Sequence, residues 1–337
     1  MIRFYQVHGF FFYQVHILEA GSKDRSWKFH MPAALMYTLK DPKYNWCYYT
    51  TPQKHLNNRN CYWPRARVWG GCSNHNAMVY IRGNALDYDN WERLGAAGWS
   101  YADCLPYFRK SEKYELGDDE YRGATGPTGI SRGKQENNPL FKAFVDAGIE
   151  AGYPYTKDVN GYQQEGFGSF DFTIWKGKRS SASTDYLRPA ESRSNLKISS
   201  KVLATKILFE GKRAVGVEYE QNKQTVRTRA RKEVIVSAGA INTPQLLLLS
   251  GVGPADHLKA MDIPVHHHLP GVGQNLQVRH LVCIRIDGCV RHPMSVRMCR
   301  YLYMYNVMYV IWCGSKSTGT NMYVMDVQLE KLLCVIL

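Results

Sequence analysis

The stretch that decides the fold runs Trp69-Gly70-Gly71-Cys72-Ser73 and continues Asn74-His75-Asn76-Ala77-Met78-Val79-Tyr80-Ile81. Because glycine has no Cβ, a glycine pair lets the backbone turn sharply and come close to a flat or phosphorylated ligand. A glycine pair alone usually marks only a turn. The mostly apolar run at 76–81 predicts a compact, packed segment directly after that turn.

A short strand is predicted at Val15–Gly21, where apolar residues lead into Glu19 and a glycine turn. In a dinucleotide-binding fold, an acid at the end of the second strand bonds the adenosine ribose, about 20 residues after a Gly-x-Gly-x-x-Gly loop. The 18 residues before Glu19 contain one glycine, Gly9. We therefore expect this chain to lack the phosphate loop and the strand before it.

The middle of the chain alternates between helical and irregular patterns. Residues 22–64 predict an irregular, well-packed segment rich in tryptophan and tyrosine. Ser100 and Asp103 stand in capping-box positions before a helix that carries Leu105 and Phe108 on one face. A loop is predicted around 117–133, and turns and strands at 161–178. A second helix is predicted from apolar residues spaced by three and four, namely Phe141, Phe144, Val145 and Ile149.

Strand patterns return in the last third of the body. Residues 196–200, 202–209 and 214–219 predict strands, and the chain returns along 225–230 as a hairpin after Asn222-Lys223. A buried strand is predicted at Glu233–Gly239. Asn242 or Thr243 is expected to cap the next helix, over 245–250, with Pro244 at its first position and Gly251 at its end. A strand, a glycine turn and a helix start together present backbone N–H groups to a phosphate or carbonyl.

These stretches resemble the two signatures of the glucose–methanol–choline (GMC) oxidoreductases, flavoenzymes that oxidise alcohols with FAD. Residues 65–91 match the first signature, except that Cys72 and His75 replace a small and an aliphatic residue. Residues 239–253 match the second signature. The resemblance implies an α/β fold over 15–277: an incomplete FAD-binding, Rossmann-like domain (15–95 and 196–277) with an interwoven α+β cap or substrate subdomain (96–195).

The resemblance also implies which residues hold FAD. Glu19 would bond the ribose, and the two glycine turns would close around the isoalloxazine and its nucleotide tail. The residues assigned to FAD binding are Glu19, Trp69, Gly70, Gly71, Ser73, Asn76, Ala77, Met78, Val79, Val202, Ala238 and Gly239. No catalytic residue and no metal ligand is assigned. Successive strand side chains point to opposite faces, so His266-His267-His268 are not expected to converge on a metal.

Further segments resemble the choline-oxidising branch of the family, among them Asn160–Gly168, Lys176–Arg179 and Pro270–Gln277. That branch implies a small alcohol substrate, choline, which a histidine deprotonates while hydride passes to flavin N5. It also implies a quinone as electron acceptor, association with a membrane surface and a place at the mitochondrial inner membrane. The alternatives are another GMC alcohol or sugar dehydrogenase, and a non-catalytic binding module.

Composition limits the other functions. The net charge of +14 suits an anionic cofactor, an acidic lipid surface or nucleic acid. Basic clusters interleaved with aromatics are missing, which favours a solvated basic surface over nucleic-acid binding. The nine cysteines form no Cys-x-x-Cys pair, so neither a zinc site nor a disulfide framework is indicated. The apolar run at 301–313 is shorter than the roughly 20 residues that span a bilayer.

The two ends do not resemble the family. Phe10–Gln14 can be encoded by a pyrimidine-rich tract and CAG, as at a splice acceptor, and Val278-Arg279 by GTAAGA, as at a splice donor. We therefore hypothesise that 1–14 and 278–337 are translated intron, which transcript sequencing tests. His292-Pro293 is interpreted as a coincidental echo of the family's histidine motif. Without the first strand we expect unpaired sheet edges, weak FAD retention and negligible choline oxidation.

Overall fold

The computed structural model describes residues 13–134 and 137–276, together with the backbone of three later strands at 281–284, 308–311 and 333–336. Most expectations for the two ends, including His292-Pro293, lie outside the described residues. Two compact units are present. The first holds 13–132, 171–276 and the last strand, and the second holds the remaining described residues. The predicted boundary between cofactor domain and cap stays a prediction.

The helices of the described residues are short, and most follow a polar cap or a turn. They are α1 (Trp27–His30), α2 (Leu35–Leu39), α3 (Ala85–Arg93), α4 (Tyr101–Ser111), α5 (Pro139–Glu150), α6 (Arg188–Ala190), α7 (Gly239–Leu249) and α8 (Ala255–Ala260). Tighter 3-10 turns occupy Pro32–Ala34, Lys54–Leu56 and Gly71–Asn74, and a π turn occupies Ser183–Leu187.

The first ten strands are β1 (Val15–Glu19), β2 (Tyr48–Tyr49), β3 (Tyr62–Trp63), β4 (Val79–Tyr80), β5 (Glu112–Tyr114), β6 (Thr128–Arg132), β7 (Asp171–Phe172), β8 (Ile174–Trp175), β9 (Lys178–Arg179) and β10 (Leu196–Ser200). The others are β11 (Leu203–Glu210), β12 (Arg213–Gln221), β13 (Gln224–Arg229), β14 (Glu233–Ile235), β15 (Val252–Gly253), β16 (His267–His268), β17 (Leu281–Ile284), β18 (Met308–Ile311) and β19 (Leu333–Ile336). The larger sheets have the orders β10-β1-β19-β14, β11-β12-β13 and β4-β7-β6-β5.

Strand β1 is paired along both edges. It runs parallel to β10, with Val15 opposite Leu196 and Glu19 opposite Ser200. On its other side β1 runs antiparallel to β19, which also pairs antiparallel with β14. The expectation of an unpaired edge beside β1 is therefore wrong, because the backbone of a strand from the late segment forms hydrogen bonds there.

The alternating faces of β1 separate two apolar cores, as the two-residue period of a strand requires. Leu18 packs with Val202, with the β11–β12 hairpin and with Leu246 of α7. Ile17, on the opposite face, packs with Trp69 and Leu187. A single strand therefore connects the turn that follows Trp69 with helix α7.

The sheet of β4, β5, β6 and β7 contains a buried ionic cluster. The Glu112 carboxylate accepts hydrogen bonds from Arg82 Nη2 at 2.7 Å and Arg122 Nε at 3.1 Å. Arg122 Nη1 donates to Asp171 at 2.7 Å, and Arg122, Glu112 and Asp171 are fully buried. Breaking such a buried pair by removing one member is strongly destabilising. The cluster fixes β7, whose Phe172 pairs with Val79.

The second unit is built around an aromatic contact. Helix α5 begins after the Asn138 cap. The rings of Phe144 and Phe167 lie 5.3 Å apart. A Cβ at Gly148 would lie 2.5 Å from the Phe167 ring, so the glycine permits this close packing. The predicted helix is confirmed, with Phe144 and Gly148 against Phe167, whereas Ile149 of the predicted apolar face is exposed.

Several local predictions are confirmed. Ser100 caps α4 by accepting from Asp103 N at 3.2 Å, and the Asp103 carboxylate accepts from Ser100 Oγ at 2.6 Å. The β12–β13 hairpin turns at Asn222 and Lys223, both left-handed with φ of 52° and 63°. Gly251 ends the α7 region with φ of 82°. Among the described residues, no helix has both the length and the apolar character needed to cross a membrane.

Two further predictions are wrong. The predicted loop at 117–133 contains β6, Thr128–Arg132, because those residues pair with both β5 and β7. Helix α7 begins at Gly239 rather than after Asn242 or Thr243, and Ala238 caps it without a side-chain bond. Pro244 lies inside the helix, where its missing N–H costs one backbone hydrogen bond.

Candidate functional site

The glycine-pair loop, residues 69–79, turns through two left-handed glycines. Gly70 has φ of 79° and Gly71 has φ of 53°. A Cβ at Gly70 would lie 2.9 Å from the backbone nitrogen of Ser183, so both conformation and space require glycine. Trp69 fixes the start of the loop, because its indole Nε1 donates to Ser200 Oγ at 2.7 Å. The loop therefore has one shape set by its neighbours.

A buried polar chain holds the inner side of this loop. Asn74 Nδ2 donates to the Trp69 carbonyl at 2.7 Å and lies 3.4 Å from an Asp24 carboxylate oxygen. Asp24 is fully buried and also accepts from Arg188 Nη2 at 2.9 Å. The carboxylate thus connects the segment after β1 with α6 and with the glycine-pair loop.

The outer side of the loop is held by the segment after β9. Ser73 Oγ donates to the Gly70 carbonyl at 2.5 Å and accepts from Ala182 N at 3.0 Å. Arg179 Nη1 donates to the Ser73 carbonyl at 3.2 Å, the Asn76 carbonyl at 2.9 Å and Asn76 Oδ1 at 2.8 Å. The Arg179 guanidinium therefore closes the loop between Ser73 and Asn76.

The end of the loop leads into β4 through a left-handed residue. Met78 is buried and has φ of 64°, which is uncommon for a residue with a side chain. Its backbone nitrogen donates to Asn76 Oδ1 at 3.1 Å, and its carbonyl accepts from Thr173 N at 2.8 Å. Ala77 is half-buried and Asn76 is exposed, so this part of the loop is open to solvent.

Glu19 lies where β1 ends and meets two other segments. Its Oε1 accepts from Gly21 N at 2.6 Å, and its carbonyl accepts from Val202 N at 3.1 Å. A Cβ at Gly21 would lie 2.2 Å from the backbone of Arg67 and Val68, so the two chains cross there in direct contact. The structure brings together Glu19, Val202 and the segment leading to Trp69.

The second glycine turn, Ala238-Gly239, lies at the start of α7. Both residues are half-buried, and Gly239 has φ of 89°. Asn242 Nδ2 donates to the Tyr48 hydroxyl at 3.1 Å, and burial raises the pKa of Tyr48. The link between the two glycine turns is indirect: Leu246 of α7 packs with Leu18, whose strand also contacts Trp69 through Ile17.

Four buried polar atoms in or beside the glycine-pair loop lack a hydrogen-bond partner among the described residues, namely Arg179 Nε and Nη2, Asn74 Oδ1 and Ser183 Oγ. Such atoms also occur elsewhere in the fold, for example Glu112 Oε2. Buried polar groups are nearly always hydrogen-bonded in native proteins. A ligand rich in hydrogen-bond acceptors fits the three of these atoms that belong to Arg179 and Ser183.

Sequence reasoning missed Asp24, Arg179 and Ser183. A charged residue in a short strand gives no sign in the sequence that it is buried, so the segment Lys176–Arg179 indicates only a resemblance. The signal that could have found Arg179 is its place just before the small, polar residues Ser180-Ser181-Ala182-Ser183, which allow close packing.

The histidines of the described residues have separate roles. His16 is buried, bonds Ser199 Oγ at 2.8 Å, and has its pKa lowered to about 4 by burial and, to a smaller extent, by the charge of Lys197. His266 stacks on Phe209 with ring centres 4.3 Å apart. His268 Nδ1 accepts from Ala255 N at 3.0 Å. The rings at 266 and 268 thus contact different groups. His75, at the aliphatic position of the first signature, is buried.

Comparison with known proteins agrees with this arrangement. A family model described as GMC oxidoreductase matches residues 16–282. The chain is 60% identical over 272 residues to human "Choline dehydrogenase, mitochondrial", covering 81% of this chain and 46% of that protein. It is 53% identical over 286 residues to "Oxygen-dependent choline dehydrogenase" of Pectobacterium carotovorum, covering 84% of this chain and 51% of that protein. The chain spans about half the length of these relatives.

Solved structures share the fold. Pyridoxine 4-oxidase from Mesorbium loti aligns with a TM-score of 0.74 at 31% identity, over 80% of this chain and 52% of that chain. An FAD-dependent oxidoreductase from Chaetomium thermophilum aligns with a TM-score of 0.72 at 38% identity, over 80% of this chain and 49% of that chain. The two signature turns of this chain therefore lie in a fold that is shared with flavoenzymes.

Proposed function

Because the chain belongs to the GMC oxidoreductase family, we propose that its protein oxidises an alcohol with FAD, and that this alcohol is choline. The observation that carries the proposal is the 60% identity to human mitochondrial choline dehydrogenase over 272 residues. The glycine-pair loop supports it, because buried donors without partners among the described residues surround two left-handed glycines.

The proposed roles of these residues rest on the family resemblance. Glu19 would bind the ribose, since its carboxylate lies at the carboxyl end of β1. The backbone of Trp69 to Ser73 and of Asn76 to Val79 would line the ring system. Val202, Ala238 and Gly239 would line the nucleotide side. When bound, FAD supplies the hydride acceptor, and the protein orients the alcohol and excludes water.

We assign no catalytic base within 15–277. A base must reach the alcohol proton and titrate near neutral pH. His16 meets neither condition, because it is buried in β1 against Ser199 and has a pKa of about 4. We propose that the histidine which accepts the proton comes from a part of the protein beyond this segment.

Flavin content and turnover test the proposal. For this chain alone we expect weak FAD retention and negligible choline oxidation with an artificial electron acceptor. A longer protein that includes an upstream glycine fingerprint and a downstream histidine motif should be purified yellow and should oxidise choline. A longer protein without flavin absorbance would contradict the assignment, and turnover by this chain alone would contradict the missing base.

A second candidate substrate comes from the solved relatives, since pyridoxine 4-oxidase shares the fold at 31% identity. Steady-state rates of the longer protein on choline, glucose and pyridoxine separate these candidates. A higher kcat/KM for either competitor would overturn the choline proposal. A soluble, folded protein that takes up no flavin would instead favour a non-catalytic binding module.

The proposed electron acceptor is a quinone, at a mitochondrial membrane surface. The mitochondrial place is supported by the human and mouse relatives, both named "Choline dehydrogenase, mitochondrial". The bacterial relatives are named "Oxygen-dependent choline dehydrogenase". Oxygen uptake measured with and without a soluble quinone distinguishes the two acceptors. Faster turnover with oxygen alone would contradict the quinone.

A further inference from the structure

Arg179 ends β9 and is 3% exposed, although it carries a guanidinium group. One nitrogen, Nη1, makes three hydrogen bonds to Ser73 and Asn76, between 2.8 and 3.2 Å. These acceptors are two backbone carbonyls and one amide oxygen of the glycine-pair loop. A single side chain therefore spans the loop from outside.

The charge of Arg179 is not balanced by a carboxylate within the described residues, where the ion pairs involve other arginines. Its Nε and Nη2 are buried and have no hydrogen-bond partner in that part of the chain. Burial lowers the pKa of Arg179 to about 10, which still leaves it charged at neutral pH. These two nitrogens carry three N–H groups, and leaving buried N–H groups of a cation without acceptors is costly.

We propose that Arg179 is a positioning residue that fixes the glycine-pair loop with Nη1 and binds an acceptor-rich, negatively polarised part of FAD with Nε and Nη2. This inference rests on the proposed function. The pyrimidine edge of the ring and the pyrophosphate share the required chemistry. Arginine suits both tasks, because its planar fork donates in fixed directions from several nitrogens, whereas lysine has one donor atom.

The surroundings favour a ligand at this point. Ser183 Oγ is also buried without a partner among the described residues, and Ser183 packs directly against Gly70. A ligand rich in hydrogen-bond acceptors would satisfy Arg179 Nε, Arg179 Nη2 and Ser183 Oγ, which lie on the same side of the loop. The loop bonds of Arg179 and the ligand bonds would then support one another.

The first experiment needs no cofactor. Hydrogen–deuterium exchange of residues 66–80, which contain the glycine-pair loop, is compared in the wild-type chain, Arg179→Gln and Arg179→Lys. The control is Arg227→Gln, because the side chain of Arg227 is 70% exposed. We expect about tenfold faster exchange of the loop in both Arg179 variants, with little change in the strands β11–β13. Unchanged exchange of the loop in Arg179→Lys would overturn the positioning role, even if Arg179→Gln fails to fold.

The second experiment measures binding of FAD and of lumiflavin, which has the ring system but no phosphate. We expect FAD to bind about 10- to 100-fold more weakly to Arg179→Gln, because this variant loses charge-assisted hydrogen bonds. Its affinity for Arg227→Gln should equal that for the wild type. Equal weakening for lumiflavin assigns the contact to the ring. Weakening for FAD alone assigns it to the pyrophosphate.

The outcomes separate the two proposals. If the wild-type chain and the longer protein both bind no flavin, the proposed function fails and the ligand contact fails with it, while the exchange experiment still decides the positioning role. If the wild type binds FAD and Arg179→Gln binds it equally well, the ligand contact of Arg179 is overturned and the proposed function stands.

Discussion

The two signature turns of this chain are held in different ways. The glycine-pair loop is fixed by side chains far away in the sequence, chiefly Asp24 through Asn74 and Arg179 through Ser73 and Asn76. The start of α7 is set locally: Ala238 caps the helix without a side-chain bond, and Gly239 supplies the left-handed turn. The comparison indicates that the first turn depends on the tertiary fold, whereas the second depends chiefly on its own residues, with one long-range hydrogen bond from Asn242 to Tyr48.

Gly21→Ala should cause the largest loss of stability, because the added methyl group pushes the segment after β1 away from the segment that precedes the glycine-pair loop. The added Cβ would lie 2.2 Å from the backbone of Arg67 and Val68, which cannot rotate away. We expect the free energy of unfolding to fall by roughly 4 kcal/mol or more. Urea denaturation measures the change.

The control for that variant is Gly95→Ala. Gly95 has φ of 107° but no atom within 4 Å of the added Cβ, so it isolates conformational strain. We expect a loss of about 1–2 kcal/mol. Equal losses at both glycines would show that close contact at Gly21 contributes nothing.

Asp24→Ala should be the next largest change. It removes the buried carboxylate that links Asn74 with Arg188, so we expect a loss of about 3 kcal/mol. The control Glu191→Ala removes a nearby partly exposed ion pair with Lys23, and about 1 kcal/mol or less should be lost. Thermal and urea unfolding of both variants test this. A small effect of Asp24→Ala would break the contrast between the two turns.

Acidification should destabilise the strand that connects the two turns. The pKa of His16 falls from 6.5 to about 4 in the folded chain, so the unfolded chain binds the proton first as pH falls. Stability is therefore full above about pH 6.5 and decreases toward pH 4, by roughly 2–3 kcal/mol in total. Unfolding curves at several pH values measure it. The variant His16→Gln should show a flatter profile, and an identical profile would exclude His16 as the cause.

Thr243→Ala should have the smallest effect, and its sign is informative. Thr243 lies inside α7, where alanine favours helix, so we expect no change or a gain of about 0.5 kcal/mol. Ser100→Ala removes an actual cap, whose Oγ accepts from Asp103 N, and should cost about 1 kcal/mol. A similar loss of stability in Thr243→Ala would indicate that Thr243 caps the helix, as the sequence predicts.

Sequence patterns predicted the elements whose causes are local. The Ser100 cap, the helix of Phe144 and the Asn222-Lys223 hairpin each depend on residues within one or two turns of chain. The predicted start of α7 is wrong because Asn242, Thr243 and Pro244 are residues typical of a helix start, yet the helix already begins at Gly239.

Features that depend on contacts between distant residues were not predictable from the sequence. The segment at 128–132 is a strand because β5 and β7 lie beside it, and its own glycine-rich surroundings suggested a loop. The second edge of β1 is paired by β19, more than 300 residues away in the chain. For the candidate site, the family resemblance predicts the position of the glycine-pair loop. Burial decided the role of Arg179, and a sequence without contacts does not reveal burial.

Met78 gives the glycine-pair loop an elastic element. Its left-handed backbone, φ 64°, costs about 1–2 kcal/mol for a residue with a Cβ, so this bend persists only under tension from its neighbours. Without the hydrogen bonds to Asn76 and Thr173, the backbone at Met78 would relax toward an extended conformation. Glycine adopts this left-handed conformation without the Cβ cost. Met78→Gly should therefore make the loop more flexible while leaving the path of its backbone unchanged.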